Sequence, residues 1–89
     1  MRAVVTVAGK DKTGIIAKIS NFLAERNVNI VDISQTIMEE YFAMIMLVDI
    51  SKSTKPLSVL SEEFSGLGEK IGMSVHLQHE EIFNAMHSV

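Results

Sequence analysis

The chain has 89 residues, a net charge of −3 and 47% hydrophobic residues, which predicts one domain over residues 1–89 with a thin core and little room for a deep catalytic cavity. Cysteine is absent, so disulfides, thiolate metal sites and cysteine nucleophiles are excluded, and no Lys/Arg run offers nucleic acid an electrostatic footprint. A small domain this apolar commonly hides part of its apolar surface in an oligomer interface.

Residues Arg2–Ala8 (RAVVTVA) are valine-rich and end at Gly9, the pattern of a buried strand. The polar stretch Gly9-Lys10-Asp11-Lys12-Thr13-Gly14 reads as a turn. A helix follows. Ile15, Ile16, Ile19, Phe22 and Leu23 make one apolar stripe, with Lys18, Asn21, Glu25 and Arg26 on the other face. Asp11 or Thr13 is expected to cap it, and Asn27 to end it in the left-handed conformation.

Asn29–Met38 is a second strand whose imperfect alternation suggests a bulge. Glu39-Glu40 makes a tight connection to a third strand, Tyr41–Ile50, so the two should form an antiparallel hairpin. Both faces of this third strand are apolar: Phe42, Met44, Met46 and Val48 on one, Ala43, Ile45 and Leu47 on the other. A sheet with helices on one side needs only one apolar face, so a partner subunit or the C-terminal helix should cover the second. The longest apolar run, Tyr41 to Val48, is far short of the ~20 residues of a membrane span. No signal-peptide pattern opens the chain, and we expect a cytoplasmic protein with no membrane association.

Ser51–Lys55 is a polar loop, and Pro56 suits the first turn of a second helix. That helix carries Leu57, Leu60, Phe64, Leu67 and Ile71 at steps of three and four. Gly66 and Gly68 weaken it, and Gly72 is its stop. Met73–Gln78 is a fourth strand, with Met73, Val75 and Leu77 facing one way. Glu80–His87 is a short final helix. The order β-α-β-β-α-β predicts an α+β, ferredoxin-like sandwich: a four-stranded antiparallel sheet with two helices on one face.

Many activities share this fold, and missing residues narrow them. Soft-metal carriers on this scaffold need paired cysteines. RNA-recognition modules need aromatics on the central strands and a basic surface, yet the first strand has no aromatic. Acylphosphatase-like chemistry needs an arginine in the first loop, which has only lysines. What remains is the first turn. A helix N-terminus there can hold a carboxylate, Gly14 lets a ligand approach closely, and Asp11 can accept from an ammonium group. Simple capping of the helix by Asp11 and Thr13 is the plainer reading of the same residues.

The segment V-x-V-A-G-K-D-K-T-G-I-I-A-K-I-S-N-F-L-A-E-R-N-V-N-I closely resembles the opening of ACT domains. The resemblance extends through Leu67-Gly68-Glu69-Lys70-Ile71-Gly72. In the final helix it points to a group of small free-standing ACT proteins of bacteria and archaea, and more loosely to one ACT half of the glycine-cleavage transcriptional repressor. It implies a regulatory, non-enzymatic module, a homodimer or higher homo-oligomer that binds a small molecule, such as an amino acid, at the shared interface. Residue by residue it implies ligand contacts from Asp11, Asn29 and Ile30, with Thr13, Gly14 and Ile15 supplying backbone and wall. Lys12-Thr13 stands where the family often has Arg-Pro, so the turn is less pre-set. With no attached enzyme or DNA-binding domain here, output would pass through a partner enzyme or regulator. The alternative is a docking module that binds no ligand. No cofactor is expected, and the spacing of His76, His79, Glu80 and His87 matches no standard metal motif.

Overall fold

The computed structural model describes residues 1–10 and 13–87. Within them lie strands β1 (Arg2–Gly9), β2 (Asn29–Met38), β3 (Tyr41–Asp49) and β4 (Ser74–His79), and helices α1 (Ile15–Glu25), α2 (Leu57–Ile71) and α3 (Glu80–His87). The strands form one antiparallel sheet in the order β2-β3-β1-β4. This is the expected ferredoxin-like arrangement, with β2 and β4 at the edges. No helix among the described residues is long and apolar enough to cross a membrane.

One side of the sheet and the inner stripes of α1 and α2 make the core. Val5, Val7, Met44, Met46 and Val48 from the sheet meet Ile19 and Leu23 of α1 and Leu60 and Phe64 of α2, all almost fully buried. Phe22 is half-buried against Phe64, ring centroids 4.7 Å apart. Ile16, placed on the apolar stripe by sequence, is exposed. Asn27 ends α1 at φ 58 and Gly72 ends α2 at φ 73, the left-handed stops their residue types favour. The Arg26 guanidinium joins the two helices: its Nε donates to Glu63 Oε1 at 3.0 Å, and the group lies over the Phe22 ring at 3.4 Å.

The uneven pattern of β2 has a physical cause. The register shifts between Ile30 and Asp32, so Val31 is the extra residue of a bulge. Ile30 thus pairs with Val48 and Ile33 with Met46, both on the helix side, while Asp32, Ser34 and Thr36 pair with Leu47, Ile45 and Ala43 on the opposite face. Apart from half-buried Ile30, every residue of β2 is exposed.

On that opposite face α3 lies across one end of the sheet. Val4 is buried yet does not belong to the main core, and Phe83 and Asn84 stand over Val4, Ile45 and Leu47. The C-terminal helix therefore packs on β1 and β4 and leaves Ala43 and Ile45 of β3 exposed. Four strand boundaries differ by one residue from the sequence reading: β1 ends at Gly9 rather than Ala8, β3 ends at Asp49 rather than Ile50, and β4 runs from Ser74 to His79 rather than from Met73 to Gln78.

Candidate functional site

The first turn enters α1 through Gly14, the residue at the helix N-cap, at φ 71 and ψ 3. The expectation named Asp11 or Thr13 for the cap; the N-cap position falls to Gly14 instead of Thr13. The sharp left-handed entry is open to glycine without Cβ strain. The Gly14 carbonyl accepts from Lys18 N at 3.0 Å. Thr13 and Gly14 are exposed, whereas the Ile15 side chain is buried in the core. Ile15 can thus offer a ligand its backbone N–H rather than a hydrophobic wall. Asp11 lies outside the described residues. The helix start presents amides carrying the positive end of the helix dipole, suited to a carboxylate.

Asn29 and Ile30 stand elsewhere. Asn29 pairs with Asp49, which pairs in turn with Arg2 at the start of β1. The first turn leaves the other end of β1, where Gly9 pairs with Phe42. The seven steps between Arg2 and Gly9 span about 23 Å at the strand rise. Within one chain, therefore, Thr13, Gly14 and Ile15 come together, Asn29 and Ile30 come together, and the two groups occupy opposite ends of the sheet.

Around Asn29 lies an open cleft of about 580 Å³, lined also by Asn27, Asp49, Ser51 and Lys52. The Asp49 carboxylate accepts from Ser51 Oγ at 2.6 Å and Ser51 N at 2.9 Å, and the N-terminal amine is 3.7 Å away. These donors hold its pKa below the ordinary carboxylate value, the Ser51 bonds contributing most. Asn27 Nδ2 donates to the Lys52 carbonyl at 2.9 Å. Sequence reading missed this polar company of Asn29, because it depends on the β2–β3 register. The only local signal was the polar stretch Asp49-Ile50-Ser51-Lys52 at the strand end.

His76 and His79 are engaged in separate contacts. His76 Nε2 is 3.1 Å from Ser74 Oγ, and His79 Nδ1 accepts from Glu81 N at 3.1 Å. Glu80 holds Arg2 instead, at 2.6 and 2.9 Å. Among the described residues no three His, Asp or Glu side chains gather as a metal site.

Among known proteins, the sequence profile of the family described as "ACT domain" matches residues 2–78. A UPF0237 protein of Listeria innocua is 56% identical over 89 residues, the whole of both chains. The solved ACT domain protein from Streptococcus pneumoniae superposes with a TM-score of 0.83 at 41% identity, covering 98% of each chain. A candidate glycine cleavage system transcriptional repressor superposes with a TM-score of 0.77 at 27% identity, over 86% of this chain and 45% of that one.

Proposed function

The chain belongs to the ACT domain family, and from that premise we propose that it is a regulatory module, residues 1–89 acting as one unit, that binds a small amino acid between two copies of itself. The observation that carries this reading is the separation of the two halves of the site. One chain places its first turn and its Asn29-Ile30 pair at opposite ends of the sheet, and the exposed edge strand β2 runs between those ends.

Antiparallel pairing of β2 with the β2 of a second copy exchanges the two ends. It sets Asn29 and Ile30 of one copy beside Thr13, Gly14 and Ile15 of the other. An open hydrophobic edge is the part of a sheet most disposed to such pairing. The helix-start amides then receive the ligand carboxylate, and Asp11 with Asn29 receives the ammonium group. Output passes by contact with a partner enzyme or regulator.

The test is a thermal-shift screen of the purified protein against the twenty amino acids, with its mass in solution recorded alongside. A bound amino acid at a hundredfold excess over Kd adds about 2.7 kcal/mol. Asp11→Ala and Asn29→Ala each remove the response and leave the oligomer intact. Mixing the two variants restores it, because a mixed pair rebuilds one complete site. Variants that lose the response and do not recover it on mixing place the site within one chain and refute the shared-site reading. No response to any amino acid leaves the docking-module alternative.

A further inference from the structure

On the outer side of the helix layer, α1 and α2 enclose an open groove of about 620 Å³. Strands β1 and β3 are antiparallel and each leads into the helix that follows it, so α1 and α2 run in opposite directions. The start of α1 therefore lies beside the end of α2. Half-buried Phe22, Leu67 and Ile71 form an apolar floor. At one end Lys18 of α1 and Lys70 of α2 stand on opposite walls, and Glu25 stands about 10 Å further along α1. Among the described residues neither ammonium group has a carboxylate partner. Arg26 is engaged internally, bonded to Glu63 and stacked on Phe22.

Gly66, on the α2 wall of the groove, has no role in the chain's own packing. It is exposed, and among the described residues no atom lies within 4 Å of a Cβ placed on it. Glycine inside a helix lowers stability relative to alanine, and no internal contact offsets that loss. Its missing side chain instead keeps the wall low where a segment from outside approaches. We propose that the groove is the docking site for an acidic amphipathic helix of a partner protein, its apolar stripe on Phe22, Leu67 and Ile71 and its carboxylates against Lys18 and Lys70. Docking here supplies the contact by which the proposed regulatory module passes on its output, and it rests on that function for the partner's existence.

The chemistry of the walls selects this occupant. Both walls are helices whose backbone groups are bonded internally, so they offer an extended segment no ladder, and its own amides and carbonyls would be buried unpaired. A helix satisfies its backbone within itself and lays an i, i+3, i+4 stripe into such a groove. Charge sets the polarity of the occupant. The chain carries −3 overall, yet two unpaired ammonium groups sit together at one end of the groove, and Glu62 and Glu69 of α2 are not among its walls. Glu25, two turns from Lys18, suits a basic residue of the occupant at the other end. With these few cations over an apolar floor, the groove lacks the run of phosphate contacts that nucleic acid requires.

The test is selection of a displayed library of randomised helical peptides on the purified parent chain, followed by affinities of the enriched peptides for the parent, Lys70→Glu and Gly66→Leu. The expected peptides carry apolar residues at i, i+3 and i+4 and carboxylates at one end, and bind less tightly at high salt. Lys70→Glu turns an attraction into a repulsion and weakens them about tenfold. Gly66→Leu abolishes binding while raising the melting temperature, a combination that damage to the fold could not produce. Neither residue lies in the proposed ligand site, so both variants keep the parent's response to an amino acid. Peptide binding in a chain that answers to no amino acid removes the ligand reading alone. Enriched peptides that are basic or uncharged, or acidic ones that bind both variants as tightly as the parent, overturn the docking site. An empty selection overturns it too and leaves the groove to a second copy of the chain or to a small anion.

Discussion

Gly68 of α2 lies so close to Met73 that a Cβ placed on it would stand 2.7 Å from the Met73 carbonyl oxygen and 3.2 Å from the Val75 side chain. The Gly68 carbonyl also accepts from Met73 N at 2.9 Å, drawing the helix end onto the start of β4. Gly66, two residues earlier, has nothing within 4 Å of such a Cβ. Alanine therefore has opposite effects at the two positions. Gly68→Ala forces helix and strand apart at a cost of about 1–3 kcal/mol. Gly66→Ala gains about 0.5–1 kcal/mol from helix propensity and reduced chain entropy. Urea unfolding of both variants checks the contrast, and equal signs refute it.

Gly14 is held at φ 71, and among the described residues no atom lies within 4 Å of a Cβ placed on it. Gly14→Ala meets no clash there, but the left-handed backbone costs roughly 1–2 kcal/mol with a Cβ present. Asn tolerates that region better than Ala, so Gly14→Asn should lose less stability. Thermal melts of the two variants rank the losses. If alanine is as stable as glycine, the helix does not enter through a left-handed residue.

Acid should weaken the fold through three carboxylates. Glu63 is bonded by Arg26 Nε at 3.0 Å and Lys55 Nζ at 3.1 Å, Glu80 by Arg2, and Asp49 by Ser51. All three are held below their ordinary values of 4.5 for Glu and 3.8 for Asp. The unfolded chain takes up these protons first as pH falls. Their contribution is complete above the ordinary values and fades as pH drops through the lowered ones. The melting temperature should fall between about pH 5 and about pH 2. Glu63→Gln should start lower at neutral pH and converge on the parent in acid. A constant gap between them would show that Glu63 has no part in the acid loss.

Arg2 and Glu80 join residues 78 positions apart in the chain. Arg2→Ala removes the fastening of α3 but leaves the core side chains in place. Amide exchange should accelerate in α3 and around Val4, while the β2–β3 hairpin keeps its protection. Exchange followed by mass spectrometry reads this directly. Uniform acceleration would mean that α3 is integral to the global fold.

The sequence by itself determined the elements. The valine-rich run of β1, the three-and-four spacing of Leu60, Phe64, Leu67 and Ile71, and the stops at Asn27 and Gly72 are local signals carried by a few neighbouring residues. The family resemblance in the first turn was equally local. Only the tertiary structure decided how those pieces face one another. The N-cap position fell to Gly14, where the backbone enters α1 through a left-handed residue. The bulge at Val31 set which β2 side chains face the helices, and strand register placed Asn29 beside Asp49 and far from the first turn. Register is a relation between distant segments, held by ladder hydrogen bonds and by burial of one sheet face. No single segment encodes it, so the residues of the candidate site were legible one by one while their division between two ends of the sheet was not.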